Sequence, residues 1–344
     1  MIRYWQYLYL YNFTRTSINT LRLKNNKTIE KNFYAIKKLK QKRGHDKILR
    51  HSSIGSHKDK ITFLADKIDV FMEDGGLLTK EDFSNYEVIE RTPLKTDFNG
   101  KTIITNPMPS PGGTLIAFAL KIISRKFPGK EINNRLLTLV MRLAQTARSE
   151  VISAKNKTDS LAEILSPIYF KRFLDFFDSE ISLKPNKEKL CSGSTTHMSI
   201  IDSQGSAASV TTTNGEGCGY IIPGTGIMIN NMLGEEDLNP DGFHNWETTK
   251  RMETMMSPTI VIGDFGPELV LGSGGSNRIR SAIKQVILNK FTKNMNLEEA
   301  IQAPRIHLEE NIIHCEPGIN TAKLSFPWST IHHWHEKNLF FGGV

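Results

Sequence analysis

From about residue 61 the apolar positions of this 344-residue chain fall into regular periods. The segment ITFLADKIDVFMEDGG has apolar residues at helical spacing and stops at Gly75-Gly76, a helix C-terminal signal. Thr79 opens a T-K-E-D helix start, with a capping threonine and acids in the first turn. YEVIERTPL and KTIITN alternate β-branched and polar residues, which predicts strands. The loop Pro107–Gly113 (PMPSPGG) leads into an apolar helix, TLIAFALKII, and residues 131–180 are mostly helical by period. KPNKEKLCSGS, over 184–194, is a polar connector. A strand from Thr195 to Asp202, a turn at Ser203-Gln204-Gly205 and a strand from Ser206 to Thr213 read as a β-hairpin. PTIVIGD and ELVLGSGG form a further strand pair, and the helix IRSAIKQVILNKF follows a Gly-rich turn. Helices, then sheet, then helix predict α+β layers rather than alternating βαβ units.

Composition adds one boundary. Residues 1–60 carry 15 Lys/Arg against 3 Asp/Glu, a balance of +12, which leaves −4 for the rest of a chain whose total is +8. The basic pI belongs to this stretch, so the body lacks the basic face expected of a nucleic-acid enzyme. The stretch reads as an irregular arm, Lys/Asn-rich from Arg22 to Lys60, whose spacing allows one charged helix from Ile29 to Lys42. MIRYWQYLYLYNF lacks the apolar region and cleavage site of a signal peptide. No apolar run reaches the roughly 20 residues of a transmembrane helix. Cys191, Cys218 and Cys315 have no metal-type spacing and read as three separate thiols. The histidines, His332, His333 and His335 among them, form no H-E-x-x-H pattern, and no metal or other cofactor is expected. Asp264-Phe265-Gly266 copies a kinase triplet without its companion motifs.

Thr195-Thr196-His197, where the connector meets a strand, says little alone. It gains weight from three later segments: Thr211-Thr212-Thr213-Asn214-Gly215-Glu216-Gly217, Pro223 to Glu236 (PGTGIMINNMLGEE), and Gly272 to Arg278 (GSGGSNR). With TTHMSIIDSQGSAASVTTTNGEG, MSPTIVI, APRIHLE, DGGLLTKEDFSNYEVIERTPL and PMPSPGG, the chain resembles the γ-glutamyltranspeptidase family in consistent order over roughly residues 65–344. The resemblance implies an N-terminal-nucleophile (Ntn) hydrolase fold, a four-layer αββα sandwich. It also implies self-cleavage between Ser194 and Thr195 into fragments 1–194 and 195–344, held together as a heterodimer. Residues 61–194 then correspond to the end of the large subunit, and 195–344 to the small, catalytic one.

The chemistry of such a site has a physical basis. A threonine hydroxyl needs a base, and the α-amine of a chain-terminal threonine, with a pKa near 8, can serve at close range. Cleavage must therefore precede activity, and His197 reads as a strand residue rather than a base. Strand alternation puts Thr211 and Thr213 on one face; Thr213 is expected to hold the Thr195 hydroxyl, with Thr211 as alternative. Backbone N–H groups of a Gly-rich turn can stabilise the oxyanion. The resemblance assigns them to Gly275 and Ser276, or with a one-residue slip to Gly274 and Gly275. It also assigns Glu235, where an aspartate is usual, to the substrate ammonium, with Asn214 and Glu216 assisting. The carboxylate falls to Thr254 and Met255, where the family pattern has two serines.

The resemblance starts late. A Gly-rich region and a carboxylate-gripping arginine of the family have no match in residues 1–60, and the chain ends at NLFFGGV. The sandwich is thus expected to be incomplete on its N-terminal side, with poor folding and slow maturation. Three functions are carried forward. The first is a γ-glutamyl amide hydrolase or transferase acting on glutathione-type compounds, with water, an amino acid or a peptide as acceptor. The second is a cephalosporin or glutaryl acylase of the same fold. The third is an unprocessed paralogue or fragment with a binding or structural role. The family is commonly periplasmic, extracellular or at the cell surface.

Overall fold

The computed structural model describes residues 2–8, 17–23, 78–79, 81–82, 85–153, 160–178, 195–215, 217–222, 227–235, 238–239, 242–245 and 251–344. The helices read over 29–42 and 61–76 and the connector 184–194 lie outside the described residues.

In chain order the strands are β1 (Ile2–Leu8), β2 (Ser17–Leu23), β3 (Ile89–Arg91), β4 (Leu94–Phe98), β5 (Lys101–Thr105), β6 (Thr195–Ile201) and β7 (Ala207–Thr213). They continue as β8 (Ile221–Ile222), β9 (Ile227–Met228), β10 (Thr259–Gly263), β11 (Gly266–Leu271), β12 (Ile306–Glu309), β13 (Ile312–Cys315) and β14 (Thr330–His333). The α-helices are α1 (Pro111–Lys126), α2 (Asn134–Ser153), α3 (Pro167–Asp178), α4 (Ile279–Phe291) and α5 (Leu297–Gln302).

A five-stranded sheet has the order β3-β1-β2-β7-β6 and a four-stranded sheet the order β11-β10-β5-β4. Every pairing in these two sheets is antiparallel. Two stretches of the basic arm are thus strands, where irregular chain was expected. The IRYWQYL of β1 is built of aromatic and branched residues that suit a pleat, and local composition outweighs the charge of the arm as a whole.

The two sheets stack face to face. Alternation decides which side chains meet which layer. In β5, β10 and β11 the side chains of Ile104, Ile260 and Val270 join Ala207 between the sheets. Ile103, Val261, Leu269 and Leu271 point the opposite way, into the main core beneath the helices. Ser209 of β7 stitches the sheets. Its buried hydroxyl donates to the Leu271 carbonyl (3.0 Å) and accepts the Thr259 N–H (3.1 Å).

Helix α1 covers the other face of the four-stranded sheet. Pro111 starts it at a position where no N–H is needed, and residues 111–120, 122 and 123 are buried. Phe118 meets Phe173 of α3 edge-on at 5.4 Å between ring centres, and Phe170 at 6.1 Å. Helix α4 is buried from Ile279 to Asn289. The smaller sheet β12-β13-β14 lies beyond, tied to α2 where Gln145 donates to the Leu308 carbonyl (2.6 Å). The described residues therefore form sheet, sheet and helix layers. Ahead of them, the expected cap at Thr79 is present: its hydroxyl accepts the Asp82 N–H (3.2 Å), and the Asp82 carboxylate accepts the Thr79 N–H (2.8 Å).

Candidate active site

The hairpin of β6 and β7 turns at Gly205, whose φ of +76° suits glycine, and its register pairs Thr195 with Thr213 and His197 with Thr211. Thr195, His197, Thr211 and Thr213 therefore share the face that looks toward the four-stranded sheet. Thr195 Oγ1 donates to Thr213 Oγ1 at 3.1 Å, and Thr213 Oγ1 also accepts the Gly215 N–H at 3.0 Å. Thr211, the alternative partner, is instead engaged by His197 Nδ1 at 2.8 Å.

The Gly-rich turn after β11 leans on the first residue of β6. A Cβ on Gly274 would lie 2.6 Å from the Thr195 carbonyl oxygen and 3.4 Å from Thr195 Cβ, so only glycine permits the approach. The Gly274 N–H points to the Gly343 carbonyl (3.4 Å), and Gly275 and Ser276 follow it in the turn. Both have positive φ, +113° and +51°. For Ser276, a buried non-glycine residue, such a conformation costs energy and is the kind of strain that concentrates at functional sites.

Glu235 borders Gly215, just beyond the end of β7. It is buried, and a Cβ on Gly215 would fall 3.0 Å from its Oε1 and 2.8 Å from the Asn231 carbonyl oxygen. Asn214 holds this corner through its own carbonyl, which accepts N–H groups from Asn231 (2.9 Å) and Gly217 (3.0 Å). Asn239 donates to the Glu235 carbonyl at 2.6 Å. Glu216 and Ser194 lie outside the described residues.

Thr254 and Met255 belong to a segment held from a different quarter. Ser110 Oγ lies 2.8 Å from the Thr254 carbonyl and 2.7 Å from that of Met256, which also accepts from Asn106 Nδ2 (2.6 Å). Gly112 leaves room for the Met255 carbonyl, 2.3 Å from where a Cβ would stand. PMPSPGG is thus a clamp on residues 254–257, a role its composition did not announce. The Thr254 hydroxyl accepts the Met256 N–H (3.2 Å), and the Met255 side chain is part of the main core, leaving only its backbone for a ligand.

Sequence reasoning also passed over the chain end. Phe340, Phe341 and Gly342 offer carbonyls to guanidinium groups: Arg278 Nε reaches Phe340 (3.0 Å), and Arg305 reaches Phe341 (3.1 Å) and Gly342. Trp334 stacks on Phe340 with ring centres 4.8 Å apart. A Cβ on Gly275 would stand 3.3 Å from Gly342 Cα, so the tail lies directly against the turn. The paired glycines of FFGGV were the available signal.

His197 carries no charge at neutral pH: burial pushes its pKa down to about 4. Its ring bonds Thr211 and Ser199 and makes no bond to Thr195. Among the described residues no cluster of His, Cys, Asp and Glu could hold a metal, and no helix is long and apolar enough to cross a membrane.

A sequence model of the family described as Gamma-glutamyltranspeptidase matches residues 62–344. The chain is 32% identical over 260 residues to the glutathione hydrolase proenzyme of Pseudomonas aeruginosa, covering 68% of this chain and 46% of that protein. It is 29% identical over 262 residues to the Acylase ACY 1 proenzyme of a Pseudomonas species, covering 73% and 47%. It thus spans about half the length of the curated relatives it matches. The crystal structure of cephalosporin acylase from Bacillus halodurans superposes with a TM-score of 0.69 at 23% identity, over 87% of this chain and 57% of that one. The fold is accordingly the α+β Ntn-hydrolase fold.

Proposed function

Because the chain belongs to the γ-glutamyltranspeptidase family, we propose that it is a self-processing γ-glutamyl amide hydrolase or transferase with Thr195 as nucleophile. The reading rests above all on the 3.1 Å contact of the Thr195 and Thr213 hydroxyls under a strained Gly-rich turn. In the uncut chain the Thr195 nitrogen is an amide and no base. Cleavage after Ser194 frees it as an amine that takes the hydroxyl proton. The hydroxyl oxygen attacks the γ-carbonyl of a glutathione-type substrate, and Gly275 and Ser276 N–H groups stabilise the oxyanion. The leaving amine departs with a proton from the Thr195 ammonium, and a γ-glutamyl ester remains on Thr195. Water or an amino acid or peptide acceptor then takes the acyl group.

Glu235 faces the substrate ammonium with Asn214 and Glu216, and Thr254 with the Met255 backbone faces the carboxylate. Fragments 1–194 and 195–344 stay associated as a heterodimer, with residues 1–60 as an arm and 61–194 as the end of the large-subunit region.

The test begins with time-dependent splitting of the purified chain into two bands, with Thr195 as the new terminus. Hydrolysis of a γ-glutamyl anilide should follow. Thr195→Ala should abolish splitting and lower turnover by about a thousandfold or more. An uncut parent that never turns over, or an active Thr195→Ala variant, would overturn the proposal; the first result favours a binding or structural subunit. A second reading, a cephalosporin or glutaryl acylase, draws on the similarity to the Acylase ACY 1 proenzyme and on the departures from the family pattern at Glu235 and Met255. Preference for a glutaryl over a γ-glutamyl anilide would select it, since a glutaryl group has no α-amine for Glu235.

A further inference from the structure

We infer that His197 is a positioning residue whose ring sets the spacing between the nucleophile strand and the oxyanion turn. The inference rests on the function proposed above and concerns a residue to which that reading gives no part.

Thr195, His197 and Ser199 alternate onto one face of β6. The imidazole is fixed at both nitrogens, Nδ1 at 2.8 Å from Thr211 Oγ1 on the neighbouring strand and Nε2 at 2.9 Å from Ser199 Oγ. Ring orientation is thus decided within the five-stranded sheet. The flank of the same ring abuts Gly272, the residue that follows β11 and opens the turn. A Cβ there would stand 2.2 Å from Nδ1 and 2.3 Å from Cε1, closer than any real contact.

Two rungs therefore join strand to turn. His197 meets Gly272, and two residues away on each side Thr195 meets Gly274. The second rung is backbone and glycine, with nothing bulky to act as a stop. The first has a rigid aromatic ring on one side and bare backbone on the other, so the ring thickness fixes how closely the turn can approach. The N–H groups of residues 275 and 276 and the Thr195 hydroxyl act on the same substrate carbon and oxygen. An error of about 1 Å in their separation can cost about a hundredfold in rate.

A double-mutant cycle tests this directly. Gly272→Ala should slow both self-cleavage and γ-glutamyl anilide turnover by about tenfold or more, acting on kcat with KM nearly unchanged. In a His197→Ala background the same Gly272→Ala change should cost less than about twofold, because the new methyl enters space the ring has left. Melting temperatures of the four proteins should show the same non-additivity. His197→Gln, which can keep one of the two hydrogen bonds, should retain more turnover than His197→Ala.

Additive losses in rate, or a fully active Gly272→Ala variant, would overturn the inference while the parent still splits at Thr195. A parent that neither splits nor turns over counts against the proposed function itself. The melting-temperature cycle then still decides the contact: coupling between the sites sustains it, and additivity overturns it.

Discussion

The two faces of the four-stranded sheet are held by different physics. On the helical side, Ile103, Val261, Leu269 and Leu271 enter a large apolar core with Phe118, Phe173 and the buried length of α4. On the side of the five-stranded sheet the apolar patch is small, Ile104, Ala207 and Ile260 with Ile262 and Val270 against them. There the seam passes into hydroxyls and an imidazole: Thr195, His197, Ser209, Thr211 and Thr213. Apolar area is non-directional and tolerates small slips, whereas hydrogen bonds specify position to a few tenths of an ångström. The helical face buries most of the apolar area, and the seam holds its hydroxyls to a narrow geometry.

The contrast can be broken from either side. Phe118→Ala should remove about 3–5 kcal/mol of stability through cavity formation, read by denaturant melts, with kcat of the surviving folded protein little changed. Thr213→Val should act mainly on rate. Turnover is expected to fall about a hundredfold, near 2.7 kcal/mol in activation free energy, while loss of the acceptor for the buried Gly215 N–H costs about 1–3 kcal/mol of stability.

Lys284 offers a sharper case within the helical face. Burial, with Arg280 beside it, lowers its pKa to about 7. The unfolded chain keeps this proton up to pH 10.5 and the folded one releases it above about 7, so the lysine detracts most below pH 7 and less as pH rises toward 10.5. Lys284→Met should therefore raise stability by about 1–3 kcal/mol at pH 6 and by clearly less at pH 9.5. An equal gain at both values would refute the assignment.

Ser209→Ala leaves the Thr259 N–H without its partner between the sheets and should cost about 1–3 kcal/mol. The last comparison is the acid response. His197 and His314 both have folded pKa values lowered to about 4, mainly by burial, against 6.5 for the free side chain. The unfolded state gains protons first, so their contribution is complete above pH 6.5, declines as pH falls toward 4, and levels off below. Replacing His197 by Gln should flatten part of that slope in a melting-temperature series.

Element types were legible where period and punctuation agreed. The β6–β7 hairpin around Gly205, the strand pair before Gly272 and helix α4 all lie where alternation and Gly-rich turns predict them. The strands at Ile2–Leu8 and Ser17–Leu23 were not, because the net charge of the arm masked two short segments of good β formers. Within the candidate site, strand alternation put Thr211 and Thr213 on one face, while Thr195, Glu235 and the turn at 274–276 were named by the family resemblance. The PMPSPGG clamp, the tail against Gly275 and the wedge of His197 on Gly272 could not be named from the sequence, since each is a contact between distant parts of the chain.

By itself the sequence determined which residues carry hydroxyls, carboxylates and glycines, and which side of each strand they occupy, because pleat and helix periods are local properties. Tertiary structure alone decided that Thr195 faces Thr213 at 3.1 Å while Thr211 is held by His197. It also decided that the Gly343 carbonyl engages the Gly274 N–H in the turn that leans on Thr195. Strand register, sheet stacking and the docking of a chain end are set by packing summed over the whole fold, and no single segment encodes them.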